Sequence, residues 1–308
     1  VRPPRHETRV SGENALQVMH PDLCPTKRWK LGDVTITCVM EFPTQVMNPE
    51  DLLQTTRAAV LEHGWLQGDF ATEDGSLYAN FQAFVIEAGG LKIMVDTCIG
   101  EGKPGGPEEF SSYQAGFLGR LEKAGFPPAA IDVVLCTHLH FDHCGWNTIK
   151  VGDRWVPTFP NARYLFAREE LAHAEADAGE MPRAMFRDSV KPIFDAGLAD
   201  IVERDHVIVD EVRLEPSPGH TPGHCCVIIA SRGHEAVITG DAIHHPMQAC
   251  VPEVCSIFCF DADGSRRSRK TLLERASANG SMVLGNHFAG PTAVRVEVAP
   301  RGYRMKPA

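Results

Sequence analysis

The segment Thr137-His138-Leu139-His140-Phe141-Asp142-His143 constrains this chain more than any other stretch. It sets four metal-ligand side chains, His138, His140, Asp142 and His143, within six positions, after a run at 131–136 that is apolar but for Asp132. Such a run reads as a strand buried on both faces, so the histidines emerge at a strand end. Neutral imidazole donates a lone pair to zinc, iron or manganese. An aspartate adds charge and can orient a water. Alternate residues of a loop, His138 and His140, can face one side while Asp142 and His143 turn to a second position, a spacing that suits two metals side by side.

Three further segments present a ligand type just after a predicted strand. The turn Pro218-Gly219-His220-Thr221-Pro222-Gly223-His224 is rich in residues that force the chain to bend. Gly240-Asp241 follows an apolar run, and so does Gly285-Asn286-His287. Each signal is weak alone. Together they offer five histidines and two aspartates at strand ends, enough for two metals with an open position. His224 is read as a structural residue near the site rather than a ligand.

Strand-like alternation covers 33–40, and two strands at 83–88 and 91–96 flank Gly89-Gly90, a hairpin signal. Further strands are expected at 207–215, 225–231, 235–239, 282–284 and 293–298. Helices are expected at 49–63, capped by Asn48 and stopped by Gly64, and at 112–124, 168–178, 183–196 and 265–279. Residues 1–30 read as an irregular arm, and the whole of 1–308 as one α/β domain, two sheets between helical layers.

The formal charge of −10 argues against nucleic acid or an anionic membrane as a partner. No stretch reaches the roughly 20 apolar residues of a membrane-spanning helix. The run Arg266-Arg267-Ser268-Arg269-Lys270 reads as a solvated helix start. The ten cysteines form no CxxC pair and read as small buried hydrophobes of a reducing compartment. A cytoplasmic location follows, with a secreted or periplasmic mature form kept open. There is no GxSxG elbow and no phosphate-binding GxxxxGK[ST] loop. The aromatics Phe42, Trp65, Phe70, Phe81, Trp146 and Phe288 are candidates for an apolar pocket, although core packing is the commoner role of each.

Over residues 80–300 the chain resembles the metallo-β-lactamase superfamily. The resemblance rests on Val95-Asp96-Thr97, the His-rich run, the Gly-His-Thr-Pro-Gly-His turn, Gly240-Asp241 and the late His287, in that order. It implies an αββα sandwich with the site at one edge. It assigns His138, His140 and His220 to a first divalent metal and Asp142, His143 and His287 to a second, bridged by Asp241. Zinc is the usual metal, with iron, manganese or cobalt also found. It makes Asp96 an outer residue that orients the histidine loop. The implied chemistry is hydrolysis by a metal-bridging hydroxide, with Asp142 holding the nucleophile in line.

Within that superfamily the chain looks most similar to the group of acyl-homoserine lactonases and methyl parathion hydrolase. The lactonases often carry a tyrosine three positions after the bridging aspartate; here His244 stands there, a candidate proton donor. The expected substrate is a small lactone or carboxylic ester, with a phosphotriester as the alternative. A persulfide dioxygenase, an RNase Z-type nuclease and a non-catalytic metal-binding protein fit less well, and a homodimer is left open.

Overall fold

The computed structural model describes residues 24–104 and 116–308. Two seven-stranded sheets dominate it. In the first, the strands run in the spatial order Lys27–Leu31, Val34–Met40, Gln82–Ala88, Leu91–Val95, Val133–Leu135, Arg163–Ala167 and Ala199–Val202. In the second the order is Val207–Val209, Val212–Pro216, Cys225–Ser231, His234–Ile238, Met282–Leu284, Ala293–Val298 and Tyr303–Pro307.

The central strands of both sheets are buried on both faces, which explains their largely apolar runs. Phe84, Ile86, Ile93, Val95 and Leu135 of the first sheet meet Leu214, Val227, Ile229, Ile238 and Leu284 of the second in one core between the sheets. The alternate residues point outward. Val85, Met94, Val134, Tyr164 and Phe166 pack against Phe117, Leu121, Leu171 and Ile193 from helical segments. Ile228, Val237, Val283 and Val294 pack against Leu272, Leu273 and Ala276 of the helix Ala262–Asn279. The expected αββα layering is therefore present.

Parallel pairing decides where the site lies. Leu91–Val95 runs parallel to Val133–Leu135, with Val95 beside Leu135. His234–Ile238 runs parallel to Met282–Leu284, with Ile238 beside Leu284. Parallel neighbours leave the sheet at the same edge. The segments after Val95, Leu135, Ile238 and Leu284 therefore converge.

Several expectations need correction. The predicted helix at 49–63 is two short helices, Pro49–Leu52 and Arg57–Leu61. A tertiary contact interrupts it: Gln54 N donates to the Cys255 carbonyl, and Leu53 bridges to Ser256. Thr56 caps the second helix through its hydroxyl, whereas Asn48 makes no side-chain cap bond. The single strand expected at 207–215 is a hairpin that turns at Asp210-Glu211. The end of the supposed irregular arm, Lys27–Leu31, is an edge strand paired with Val34–Met40; its lysines and arginine suit an exposed edge. The helix predicted from 112 is seen as Phe117–Lys123, and its 112–115 portion lies outside the described residues, as does the arm over 1–23. The strand Arg163–Ala167 had no assignment, because it runs without a break into the helix Arg168–Ala176.

All ten cysteines are unpaired, and only Cys259 is not fully buried. No helix among the described residues is long and apolar enough to cross a membrane.

Candidate metal centre

The first sheet delivers His138, His140, Asp142 and His143 in one loop and a one-turn helix, Phe141–Cys144. The second delivers His220 from the turn after Val212–Pro216, Asp241 after His234–Ile238, and His287 after Met282–Leu284. All seven meet at one edge. They fall into two groups, His138, His140, His220 and Asp241, and Asp142, His143 and His287, with the ligand atoms of each group within 4.8 Å of one another.

The aspartate between them faces both groups. Asp241 Oδ2 lies 3.1 Å from His220 Nε2 and 3.6 Å from His138 Nε2. Asp241 Oδ1 lies 3.2 Å from His143 Nε2 and 3.1 Å from His287 Nε2. Oδ1 is buried yet makes no aligned hydrogen bond. Asp142 Oδ2 sits 3.7 Å from His143 Nε2 and 3.5 Å from His287 Nε2.

Hydrogen bonds on the outer ring nitrogens fix which nitrogen faces inward. His143 Nδ1 donates to Asp96 Oδ2 at 2.8 Å, and His287 Nδ1 donates to the Asn80 carbonyl at 2.8 Å. The Thr137 hydroxyl donates to Asp96 Oδ2, so its oxygen accepts from His138 Nδ1 at 3.2 Å. Three Nε2 lone pairs thus point into the cluster. His140 turns its Nδ1 inward, 3.0 Å from His138 Nε2 and 2.8 Å from His220 Nε2. Lone pairs converging on a carboxylate repel unless a cation or protons lie between them. This donor set, nitrogen and carboxylate oxygen in two compact groups, fits a pair of divalent cations.

The electrostatics of the two groups differ. Burial pushes His138 well below the ordinary histidine range, His140 down to about 3 and His220 down to about 4. At His143 burial also opposes charge, but Asp241, Asp142 and Asp96 outweigh it and hold the pKa well above the ordinary value. His287 is raised against burial by Asp241 and Asp142. Burial acts to raise Asp241, yet His244, His143, His287 and His220 outweigh it and hold the carboxylate well below its usual range. The pull that keeps a proton on His143 equally favours a metal ion, which would displace that proton on binding.

Asp96 holds this loop. Its backbone is left-handed, with φ of 56°, a strained conformation for a non-glycine residue. Thr137 N, the Thr137 hydroxyl, His143 Nδ1 and Asn286 Nδ2 all bond its carboxylate, at 2.6–2.9 Å. His224 does not face the cluster. Its Nδ1 meets Ser217 Oγ at 2.8 Å and its Nε2 accepts from Asp241 N at 2.9 Å, so it fixes the backbone of Asp241. Gly240 must be glycine, because with φ of +49° a Cβ there would lie 2.6 Å from His224 Nε2 and 2.7 Å from Thr137 Oγ1.

His244 is 2% exposed and lies at the cluster, its Nε2 3.2 Å from Asp241 Oδ2. That approach is not aligned as a hydrogen bond, and neither ring nitrogen has a partner. A cavity of about 370 Å³ opens onto His244, His140, Asp142, His220, Asp241 and His287. Its walls are Met47, Leu52, Phe81, Phe141, Met181, Pro182, Met185 and Phe258. Among the described residues, no lysine or arginine lines it. Of the six aromatics singled out in the sequence, only Phe81 lines this cavity. Phe42 packs edge-on against Phe81, Trp65 against Phe70, and Trp146 stacks on Phe117; Phe288 is buried. The carboxylates of Glu41 and Glu170, both buried near the site, escaped sequence reasoning, since a lone acid beside a strand or in a helix's first turn is ordinary.

The model of the Metallo-beta-lactamase superfamily matches residues 82–287. An N-acyl homoserine lactonase of Bacillus cereus is 28% identical over 167 residues, which is 54% of this chain and 60% of the relative. Another, from a Bacillus species, is 28% identical over 123 residues, 40% of this chain and 42% of the relative. The chain thus spans about half the length of the curated relatives it matches. Among solved structures, the hydrolase AbOPH of the beta lactamase superfamily aligns with a TM-score of 0.77 at 22% identity, covering 93% of this chain and 98% of that one. AidC, a dizinc quorum-quenching lactonase in complex with N-hexanoyl-L-homoserine as product, aligns with a TM-score of 0.76 at 18% identity over the same shares. Convergent ligands at one edge of an αββα sandwich, together with the match over 82–287, establish that this chain belongs to the metallo-β-lactamase superfamily.

Proposed function

We propose that this chain, one domain over 1–308, is a hydrolase that opens a neutral, lipophilic lactone or carboxylic ester with two divalent metal ions, zinc by preference. The observation that carries this reading is the seven-residue cluster at the floor of an apolar cavity, with the two oxygens of Asp241 divided between its two groups. His138, His140 and His220 would hold one ion, Asp142, His143 and His287 the other, and Asp241 both. Bound there, the ions supply Lewis acidity and lower the pKa of water toward neutrality.

The chain's own residues do the rest. Asp142, only 14% exposed and at the cavity floor, can accept a hydrogen bond from the attacking water and hold it in line. His244, whose ring nitrogens make no hydrogen bond within the protein, is placed to give a proton to the leaving alkoxide. The apolar walls exclude bulk water and hold the acyl chain. Among the described residues no lysine or arginine lines the cavity away from the metal groups, so its apolar walls favour neutral, lipophilic substrates. The lactonase relatives fit this reading.

The test is a panel of acyl-homoserine lactones, simple esters and phosphotriesters on protein of measured metal content. Lactones or esters should be turned over. With each methylene that enters the cavity, kcat/KM should rise about fourfold, the equivalent of about 0.8 kcal/mol per buried CH₂. Turnover of phosphotriesters alone, or a flat response to chain length, overturns the proposal.

A further inference from the structure

We propose that Glu170 is a positioning residue for the first metal group, a brace that sets the gap between the two loops carrying its histidines. The inference rests on the metal reading above. Glu170 lies in the first turn of the helix Arg168–Ala176 and is 2% exposed. Its Oε1 accepts from Leu139 N at 2.8 Å. Its Oε2 accepts from Thr221 Oγ1 at 2.6 Å and from Gly223 N at 3.1 Å.

The donors are what give this carboxylate its reach. Leu139 stands between His138 and His140, and Thr221 follows His220. One side chain therefore ties together the loop from the first sheet and the turn from the second, at the positions between and beside three of the four members of the first group. No comparable contact from Glu170 reaches Asp142, His143 or His287 among the described residues. The turn also rests directly on the helix: a Cβ at Gly223 would lie 2.1 Å from Glu170 N. The helix itself follows the strand Arg163–Ala167, sixth of seven in the first sheet, without a break, so the brace is anchored to that sheet.

Glu170 borders the cavity, yet both its oxygens are taken by protein donors. It acts through the loops rather than on a substrate. Only a carboxylate offers acceptors on both sides; a glutamine would turn an N–H toward at least one of these donors. A buried donor facing a donor forces the loops apart, and histidines that must converge on one ion then converge less well.

The experiment measures zinc affinity by competition with a chromophoric chelator. Two backgrounds separate the groups: His287→Ala, which damages the second, and His138→Ala, which damages the first. Glu170→Gln should weaken the ion remaining in the His287→Ala background by about 10- to 100-fold, the usual scale for losing an outer partner of a metal site. It should leave the ion remaining in the His138→Ala background unchanged. Unchanged affinity in the first background, or equal weakening in both, overturns the brace. If Glu170→Gln does not fold by far-UV circular dichroism, Thr221→Val carries the test, since it keeps the carboxylate and removes one donor. It should weaken the same ion alone by several-fold, and no change overturns the proposal. Wild-type protein that binds two zinc ions while Glu170→Gln binds them equally well sinks the brace only. Wild-type protein that binds none sinks the metal reading and the brace together.

Discussion

His244 stands three positions after Asp241 and opens onto the cavity beside both candidate metal groups. It is buried with neither ring nitrogen in an aligned hydrogen bond, although Nε2 lies 3.2 Å from Asp241 Oδ2, and burying an imidazole so incompletely bonded is costly. A substrate that brings a partner relieves that cost. If His244 protonates the departing oxygen, its removal should matter most where the leaving group is a poor one. His244→Ala should therefore lower kcat/KM for alkyl lactones and esters at least about tenfold more than for p-nitrophenyl esters, whose phenolate leaves unprotonated. Both are to be compared at equal metal occupancy, so that lost metal does not imitate lost acid. Equal losses on the two substrate types would assign His244 to shaping the cavity. This residue was legible in the sequence from its distance to Asp241. Glu170 was not, because its three donors come from Leu139, Thr221 and Gly223, at least 31 positions away along the chain.

At the scale of elements, the ligand loops were readable because five histidines and two aspartates behind apolar strands are hard to reconcile with ordinary packing. What holds the loops was less readable. Glu41, after the strand Val34–Met40, binds Ile99 N at 2.7 Å, Gly100 N at 2.9 Å and Trp146 Nε1 at 2.6 Å. It ties the first sheet to the segment after Asp96 and to the segment after His143. The broken helix at 49–63 was invisible for the same reason: its interruption comes from Cys255 and Ser256, about 200 positions away. Burial raises the Glu41 pKa from the usual 4.5 to about 7, against the bonds from Ile99, Trp146 and Gly100 that favour the charged form. The folded state thus holds a proton that the unfolded chain has lost between pH 4.5 and 7. That contribution to stability is complete below pH 4.5 and is lost as pH rises through 7. At about 1.4 kcal/mol per pH unit it amounts to about 3 kcal/mol. Denaturant unfolding of metal-free protein should show the stability of the wild type, relative to Glu41→Gln, falling by about that much from pH 4.5 to 8. A difference that stays flat with pH would mean that Glu41 is ionised throughout.

On the scale of the whole molecule, the two sheets are joined differently at their two edges. Away from the site, protein contacts suffice: Asp33 N donates to Ser231 Oγ at 3.0 Å, and Arg232 Nε pairs with Asp33 Oδ2 at 2.6 Å. At the site edge, each candidate metal group draws ligands from both sheets: His138 and His140 with His220 and Asp241, and Asp142 and His143 with His287. Each bound ion would therefore staple sheet to sheet. Without the ions, the buried imidazoles of His138, His140 and His220 crowd one another and Asp241 Oδ2, and cross-sheet attraction within the cluster is left to His143 beside Asp241 and His287 beside Asp142. An ion present at a thousand times its dissociation constant stabilises the folded state by about 4 kcal/mol, and here that energy acts at one edge. Amide hydrogen exchange before and after chelation reads this directly. Chelation should accelerate exchange in segments 137–147, 218–224, 239–245 and 285–288. The turns at 32–33, 89–90 and 232–233, at the far edge, should keep their rates. Readdition of zinc should restore slow exchange in the first set. Uniform acceleration across both edges would instead mean that metal binding governs global unfolding, and unchanged exchange at the site edge would show that the loops are held by protein contacts such as those of Asp96, Glu41 and Glu170 alone.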